Sequence, residues 1–439
     1  MKKAERISYT GILRILRVLL LCFLGLFLPT SCGENKEAGP TTIRFVTWKP
    51  NQPAAWEELL RFFHQENPDI IVQPETGPHS STAFHDLLTQ KLKNRSKDAD
   101  VFLMDVIWTS EFAAAGWAEP LDRFMPQTER DRFIPGTILA NTHNGILYGI
   151  PLFIDSGVLF YRKDLLQQYG FRPPRTWNEL VHQARTIMVG ESSEGREIYG
   201  YSGQFKQYEG LVCNMLEYLL GNGGDVLSVE TGKAAIAEEP SVAAVRFVRD
   251  SVIGGIAPKG VLTYQEPESL DLFIQNRAVF LRSWPYAWEI ANDPARSHIA
   301  GKVGLTKLPH FAGGKSYATL GGWQVGVSAF SQKKEAAWRF ARFLGSERTQ
   351  KILALRAGRA PTRTTLYTDA EVLAANPHFS DMREVFLSAH PRPRSPLYPA
   401  LSNILQRYFS KAISDRNSDV RREALEAARE IDRLLSLTQ

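Results

Sequence analysis

The feature that most constrains the fold is a regular alternation of strand-like and helix-like segments that begins at Thr42. In chain order these segments are TIRFVTW, AAWEELLRFFHQEN, DIIVQPE, FHDLLTQKLKN and DADVFLMD. Short apolar runs separated by amphipathic stretches are typical of a parallel sheet covered by helices on both faces. In such sheets ligands bind beyond the carboxyl ends of the strands, so Asp105, the last residue of DADVFLMD, is a candidate site residue.

The rest of the chain predicts a second α/β region. Two strand-like runs are joined by a polar break at Asp155–Gly157, and residues 160–300 are rich in helical patterns. Strand-like runs return in KVGLTKLPHF and GGWQVGVSAF, and two amphipathic helices are predicted from Leu401 to Leu437. Because 439 residues are too many for one ordinary core, we predict two lobes between which the chain crosses more than once.

The positive charge is concentrated at the amino terminus. The formal net charge is +5, and residues 1–31 carry five basic side chains against one acidic one, which leaves +1 for the remainder. A nucleic-acid partner needs a basic surface on the folded part of the protein. The charge distribution therefore predicts no nucleic-acid binding.

Residues 1–31 have the layout of an export signal. A basic region up to Arg17 is followed by the apolar run VLLLCFLGLFLP and by two small residues before Cys32. The apolar run is too short to span a bilayer comfortably. The layout resembles a bacterial lipoprotein signal, in which Cys32 is lipidated and becomes the first mature residue, although Pro29 stands where leucine is usual. Ordinary cleavage with an unmodified Cys32 is the alternative.

This interpretation predicts an exported protein that a lipid anchors to the membrane, facing the periplasm or the cell exterior, with residues 32–41 as a polar tether. Cys22 leaves with the signal, so Cys213 has no partner for an intramolecular disulfide and is expected to lie in the core. The nine histidines show no metal-binding spacing, and no phosphate-binding loop or nucleophile motif is present. We therefore predict no metal and no cofactor.

The stretch LRSWPYAWE places Trp284, Tyr286 and Trp288 around Pro285. Taken alone, such a cluster is more often buried structure than an exposed binding surface. Proline is well suited to the first turn of a helix, which would place Trp284 at the mouth of that helix. The residues by themselves leave both interpretations open.

Several longer phrases, taken together and in order, resemble one protein family. They are DVFLMDVIWTSEFAAAGWAEPLD, LYGIPLFIDSGVLFYRKDLLQQYGFRPPRTWNEL, KQYEGLVC, WPYAWE, LPHFAGGKSYATLGGWQVGVS and KKEAAWRFARFLGSERTQK. The chain is similar from Thr42 to its tail to the extracellular solute-binding proteins of sugar ABC importers, and most similar to the trehalose/maltose-binding branch.

The resemblance implies an α/β protein with the two-lobed, hinge-linked periplasmic-binding-protein fold of type II. Lobe 1 would comprise residues 42–153 and 305–365, and lobe 2 residues 154–304 and 366–439. A monomer of this kind, which is not an enzyme, would capture a di- or oligosaccharide in the interlobe cleft by hinge closure. It would then deliver the sugar to the permease subunits.

The resemblance also implies a set of ligand contacts. They are Gln52, His85, Asp105, Asp155, Trp284, Tyr286, Gly321, Gly322, Trp323 and Arg363. Aromatic planes fit the apolar faces of a sugar, charged side chains fit its hydroxyl rim, and glycines let the backbone approach closely. Capping or turn formation is the alternative role for the two aspartates, and Arg359 competes with Arg363 for the arginine position. Trp288 is assigned to the core.

Four positions depart from the branch. Gln52 replaces a glutamate, Phe84 and His85 replace adjacent arginines, and Phe153 replaces a tyrosine. Changing donors that match hydroxyls can alter selectivity strongly, so the resemblance does not identify the sugar.

Two other functions fit parts of the same pattern. A carbohydrate sensor or adhesion protein could share the fold, because the transporter lies outside this sequence. Asp105 and Asp155 could form the carboxylate pair of a glycoside hydrolase. No sequence feature places either carboxylate in an apolar pocket that would raise its pKa for acid catalysis, which makes the hydrolase the weakest alternative.

Overall fold

The computed structural model describes residues 39–50, 52–228 and 230–436, so the predicted signal and Cys32 lie outside the described residues. The first alternating segments fold as predicted. They are β1 (Thr41–Thr47), α1 (Pro53–Glu66), β2 (Ile70–Thr76), α2 (Ser81–Lys93) and β3 (Val101–Asp105). The buried face of α1 includes Trp56, Leu59 and Phe63, whose spacing follows the helical period and directs them toward the sheet.

The first sheet has six strands, but it is mixed rather than parallel. The later strands in it are β6 (Ile150–Ser156), β11 (Leu320–Val327) and β12 (Ala360–Pro361). The strand order is β12-β6-β11-β3-β1-β2. β1 runs parallel to β2 and β3, whereas β11 is antiparallel to β3 and β6, and β12 is antiparallel to β6. The prediction of parallel strands is confirmed for β1, β2 and β3, whereas β11 and β12, from the distant part of the chain, enter the sheet antiparallel to their neighbours.

A second sheet has four strands in the order β10-β7-β9-β8. They are β7 (Val158–Arg162), β8 (Tyr199–Ser202), β9 (Ala278–Ser283) and β10 (Val303–Thr306). Only the β8–β9 pairing is parallel. A small hairpin of β4 (Thr142–His143) and β5 (Ile146–Leu147) lies apart from both sheets.

Helices make up most of the remaining regular structure. The α-helices after β3 are α3 (Thr109–Ala114), α4 (Gln127–Arg130), α5 (Pro135–Ala140), α6 (Lys163–Gln168), α7 (Trp177–Ser193), α8 (Glu209–Gly221), α9 (Glu239–Phe247), α10 (Glu266–Ile274), α11 (Ala287–Asn292), α12 (Lys334–Leu344), α13 (Glu347–Ala357), α14 (Ala370–Ala375), α15 (Phe379–Ser388), α16 (Tyr398–Ser414) and α17 (Val420–Ser436). A π-helix at Val248–Ile253 extends α9, and 3₁₀ turns occupy Lys259–Thr263 and Thr364–Tyr367. The two predicted carboxyl-terminal helices are confirmed as α16 and α17.

The chain passes between the sheets more than once, as predicted. Gly157 alone separates β6 of the first sheet from β7 of the second, and the connection from β10 to β11 returns to the first sheet. A Cβ atom at Gly157 would lie 1.9 Å from Glu217 Oε1 and 2.6 Å from Arg282 Nη2. Glycine at this crossing therefore leaves room for the buried ion pair of those two side chains.

The buried apolar residues form two clusters, and Ile154, Leu320 and Ala360 of the first sheet belong to the second cluster. The first cluster includes Phe45, Phe63 and Phe340, which meet edge to face. The second includes Trp177 and Tyr218, whose rings stack with centroids 4.1 Å apart. Among the described residues, no helix combines the length and apolarity needed to cross a membrane.

Candidate ligand-binding site

The candidate site is a cavity at the carboxyl ends of β3 and β6. Side chains from both apolar clusters line it. Of the ten predicted ligand contacts, the structure brings seven together here: Asp105, Asp155, Trp284, Tyr286, Gly321, Gly322 and Trp323. Their roles as ligand contacts stay predictions.

Aromatic rings form two separate walls of the cavity. On the first wall Trp323 stacks on Trp48, with centroids 5.2 Å apart and an angle of 23° between the planes. On the second wall Trp284 lies over the Arg282 guanidinium, whose central carbon is 4.1 Å from the ring centroid. Arg282 is fully buried and paired with Glu217, so Trp284 rests on a fixed cation.

Asp105 is held by an ion-pair network that crosses the cavity. Arg392 Nη2 lies 3.1 Å from Asp105 Oδ1, and Arg392 Nη1 lies 2.8 Å from Glu209 Oε1. Tyr398 also donates to Glu209 Oε1, at 2.6 Å. Burial raises the pKa of the Asp105 carboxyl, and nearby Glu209 adds to this, while Arg392 opposes it.

Asp155 has fewer close contacts than Asp105. Its Oδ1 atom is buried without a hydrogen-bond partner among the described residues, and Oδ2 lies 4.0 Å from Arg359 Nη1. Burial raises the pKa of Asp155 to about 7, against the opposing effect of Arg359. The Arg359 guanidinium carbon lies 4.7 Å from the Phe153 ring centroid and 4.8 Å from that of Tyr286.

Glu266, at the start of α10, fixes two aromatic side chains. It accepts a hydrogen bond of 3.2 Å from Trp284 Nε1 and one of 2.7 Å from the Tyr208 hydroxyl. The indole plane of Trp284 is thereby held at one orientation on the cavity wall. Because the ring is already held in one orientation, less conformational entropy is lost when a flat ligand packs on it.

The two glycines of β11 keep the strand close to the cavity. A Cβ atom on Gly321 would lie 3.1 Å from the Trp284 ring and 3.2 Å from Asp155 Cβ. Gly322 has φ of +138°, and a Cβ there would lie 2.7 Å from the Phe153 carbonyl oxygen. Gly322 is therefore required by its backbone, whereas a side chain at Gly321 would need the Trp284 ring or Asp155 to move by a few tenths of an ångström.

The structure places the other three predicted contacts away from this lining. Gln52 Nε2 donates to Glu289 Oε2 at 3.3 Å. His85 Nε2 lies 2.6 Å from Glu111 Oε2, in a neighbouring cavity. Arg363 donates to the Gly345 carbonyl and pairs with Glu129 at 2.6 Å, so its guanidinium is already satisfied.

Several lining residues were missed by sequence reasoning. They include Trp48, Tyr208, Glu209, Glu266 and Arg392. Tyr208 and Glu209 lie in KQYEGLVC, a phrase that contributes to the family resemblance but does not by itself indicate a ligand contact. Arg359, the competing candidate for the arginine position, lines the cavity. Trp288 packs against the second apolar cluster, and Cys213 is buried, as expected.

Comparison with known proteins covers most of the chain. Residues 39–351 match the family described as bacterial extracellular solute-binding protein. A probable ABC transporter-binding protein of Deinococcus radiodurans is 38% identical over 317 residues, which span 72% of this chain and 74% of the relative. A mannitol-binding protein of Pseudomonas aeruginosa is 24% identical over 343 residues, 77% of each chain.

Solved structures extend the likeness to the fold. Maltose-bound MalE3 of T. maritima is 40% identical with a TM-score of 0.85, over 90% of this chain and 100% of that one. A solute-binding protein from Agrobacterium radiobacter in complex with ribitol has 23% identity and a TM-score of 0.81, over 90% and 99% of the two chains. The chain therefore has the two-lobed periplasmic-binding-protein fold, and it belongs to the bacterial extracellular solute-binding protein family.

Proposed function

We propose that the protein is the sugar-binding component of an ABC importer and that it captures a di- or oligosaccharide of the trehalose/maltose class. The proposal is supported by the maltose-bound structure at 40% identity and by the relative described as a probable ABC transporter-binding protein. The lobe boundaries predicted from the sequence belong to the same proposal.

One observation carries this function: aromatic planes and charged groups from both apolar clusters converge on one cavity. Trp284 and Trp323 offer ring faces to the weakly apolar CH faces of a sugar. Asp155 Oδ1 is a buried acceptor that lacks a partner among the described residues, and it fits a ligand hydroxyl as donor. Arg392 Nε is a buried donor that also lacks a partner among the described residues. A ligand hydroxyl could accept a hydrogen bond from it.

Lobe closure would complete the site. Glu209 N donates to Thr82 Oγ1 at 3.3 Å, and Gln52 donates to Glu289, so both contacts join segments far apart in sequence. A ligand that touches both walls favours the closed state by its differential affinity for that state. The closed form would be recognised by the permease subunits.

Export and anchoring also belong to the proposal. Cys32 would carry the lipid, and the predicted tether, residues 32–41, would link it to the folded part of the chain. Metabolic labelling with a radioactive fatty acid tests this, with Cys32→Ser as the control. Unlabelled wild-type protein would leave ordinary signal cleavage as the better interpretation.

The function is tested by isothermal titration of the purified protein with trehalose, maltose, sucrose, palatinose and longer glucans. We expect one sugar to bind tightly and Trp284→Ala to lose roughly 30-fold or more in affinity, since truncating an aromatic residue that dominates binding costs about 2 kcal/mol or more. Trp288→Ala is the matched control, because Trp288 lies four residues away against the same apolar cluster but outside the cavity lining.

Two results would contradict the proposal. If a folded protein binds no sugar in the panel, the ligand belongs to another chemical class. If the protein releases glucose from a disaccharide, the raised pKa values of Asp105 and Asp155 take on a catalytic meaning and the hydrolase becomes the better assignment. Loss of sugar uptake in cells that lack the protein separates an importer from a sensor.

A further inference from the structure

Two crossings of the chain between the sheets lie side by side. The first is Gly157, and the second is the connection that ends at Thr319, directly before β11. Gly157 N donates to the Thr319 carbonyl at 3.4 Å. His390 is bonded on both sides of Thr319, because its N donates to the Ala318 carbonyl and its carbonyl accepts from Leu320 N, each at 2.8 Å. The two crossings are therefore joined by hydrogen bonds at one place.

A buried glutamate of α8 reaches both crossings. Glu217 Oε1 accepts a hydrogen bond of 3.2 Å from Thr319 N. A Cβ atom on Gly157 would come within 1.9 Å of the same oxygen. One turn earlier on α8, the Cys213 carbonyl accepts a hydrogen bond of 2.9 Å from Thr319 Oγ1. Helix α8 is thus fixed to the crossings at two points.

The same glutamate holds Arg282, the cation over which Trp284 lies. Arg282 Nε donates to Glu217 Oε2 at 2.8 Å, and Arg282 Nη2 donates to Glu217 Oε1. Arg282 Nη1 donates to Gln204 Oε1 at 3.2 Å. All three guanidinium nitrogens are engaged, and a bidentate pair of this kind fixes the plane as well as the position of the group. The guanidinium carbon is thereby held 4.1 Å from the Trp284 ring centroid.

Trp284 also lies against the strand that follows the second crossing. A Cβ atom on Gly321, two residues after Thr319, would lie 3.1 Å from the Trp284 ring. The contacts therefore form a closed circuit, from Trp284 through Arg282 and Glu217 to Thr319 and back along β11 to the ring. A shift of the crossings relative to Glu217 would change the support of the ring, because packed interiors transmit displacement.

A gain in stability does not explain this ion pair. Removing two charges from water costs about as much as their attraction returns, so neutral side chains of similar volume are often equally stable. Among the described residues that line the cavity, neither Arg282 nor Glu217 is included. The pair therefore has no direct contact to offer a ligand, and what it provides is a fixed geometry between the ring and the crossings.

We propose that Arg282 and Glu217 are positioning residues, which hold the Trp284 ring in the place that the two crossings of the chain determine. For its ligand the inference rests on the proposed function. It extends that function to two side chains that act on the ligand only through Trp284.

The position of the ring can be measured without any sugar, by near-ultraviolet circular dichroism. The difference between the spectra of the wild type and Trp284→Phe isolates the signal of one fixed indole. We expect most of this difference to disappear when Arg282→Met and Glu217→Gln are both present. Glutamine can still accept from Thr319 N, so the crossing keeps its hydrogen bond while the ring loses its support.

The matched control is Arg162→Met with Asp164→Asn. Arg162 is also a buried arginine of the second sheet with a carboxylate partner, and it lies outside the cavity lining. Its replacement should leave the Trp284 difference spectrum unchanged. If the paired replacement of Arg282 and Glu217 does not fold, Arg282→Lys takes its place, because lysine keeps a cation beside Glu217 without the planar group.

Sugar titration then shows whether the ring position matters to binding. With Trp284 present, we expect the paired replacement to weaken binding about tenfold. In the Trp284→Ala background the same replacement should have little further effect, because the ring through which it acts is absent.

An unchanged difference spectrum, or an equal loss of affinity with and without Trp284, would show that the pair only stabilises the fold and would overturn the inference. If the wild type binds no sugar, the proposed function fails. The difference spectrum still decides in that case whether Arg282 and Glu217 position the ring.

Discussion

The two aspartates of the candidate site occupy similar places but are stabilised differently. Asp105 ends β3 and pairs in register with Trp323 of β11, while Asp155 lies near the end of β6 and pairs with Gly321 of the same strand. Asp105 contacts Arg392 at 3.1 Å and accepts a backbone hydrogen bond from Ile107 at 3.3 Å. Asp155 has its nearest guanidinium nitrogen at 4.0 Å and one oxygen without a described partner.

The difference indicates two roles within one cavity. A carboxylate that is already hydrogen-bonded holds structure, because breaking its contacts leaves several charges buried. A buried carboxyl with a free oxygen is poised to accept a ligand hydroxyl, and until then it retains a proton more readily. Under the proposed function, Asp105 would therefore support the framework of the site, and Asp155 would accept a hydrogen bond from the ligand.

The largest expected effect comes from removing the cation that supports Asp105. Arg392→Met leaves Asp105 and Glu209 buried without their shared guanidinium, whose side chain is only 2% exposed. We expect the free energy of unfolding in urea to fall by about 3–5 kcal/mol. Adding Asp105→Asn to this variant should restore part of the loss, since one uncompensated charge is then removed.

The control for this experiment is Arg407→Met, which breaks the exposed pair with Glu430 and should change stability little. A loss of less than about 1 kcal/mol for Arg392→Met would mean that Asp105 and Glu209 are not dependent on the ion pair. The contrast between the two aspartates would then be wrong.

The next largest expected effect is a pH-dependent change in stability when Asp155 is replaced. Burial raises the pKa of Asp155 to about 7, above the unfolded value of 3.8, so the folded protein binds the proton more tightly. This contribution to stability is present at low pH and is lost as the pH rises through 7, at up to about 1.4 kcal/mol per pH unit. Without sugar, Asp155→Asn should therefore exceed the wild type in stability at pH 8 and approach it toward pH 4.

Denaturation curves of both proteins between pH 4 and pH 8 measure this difference. Asp86→Asn is the control, because its carboxyl is exposed, and its curve should run parallel to the wild type. A constant difference between wild type and Asp155→Asn across this range would show that Asp155 does not titrate there.

The sequence predicted the elements that local patterns specify. The alternation from β1 to β3 and the two carboxyl-terminal helices follow from apolar spacing within each segment. The direction of β11 could not be read in the same way, because its partners β3 and β6 lie far away in the chain. Strand direction in a sheet depends on such long-range pairing rather than on the pattern within one strand.

The resemblance led to residues that the structure places in the cavity lining, such as Trp284 in WPYAWE and Gly321 in LGGW, while their roles as ligand contacts stay predictions. The Arg392–Glu209 pair joins positions 183 residues apart, and nothing in either phrase points to the other. Arg363 and Arg359 lie in one short segment, and only the structure shows that Glu129 and the Gly345 carbonyl engage Arg363.

The smallest expected effect comes from changing Arg359, and it tests the contrast between Asp105 and Asp155. Arg359 stacks between Phe153 and Tyr286 and opposes the rise in the pKa of Asp155. Arg359→Met should lower the free energy of unfolding by about 1 kcal/mol, because the cation–π contact is lost. It should also raise the pH at which the Asp155 contribution to stability is lost. Arg359→Lys keeps the charge but not the planar stacking, so it should lower stability without moving that pH.

Unfolding measured across pH for both variants separates the two contributions of Arg359. If the methionine variant leaves the pH midpoint unchanged, the guanidinium acts on the rings alone, and burial together with Asp105 determines the protonation of Asp155. If the lysine variant also moves the midpoint, the position of the charge matters as much as its sign. In that case the stacking of Arg359 on Phe153 and Tyr286 is what places the charge close enough to Asp155 to oppose its protonation.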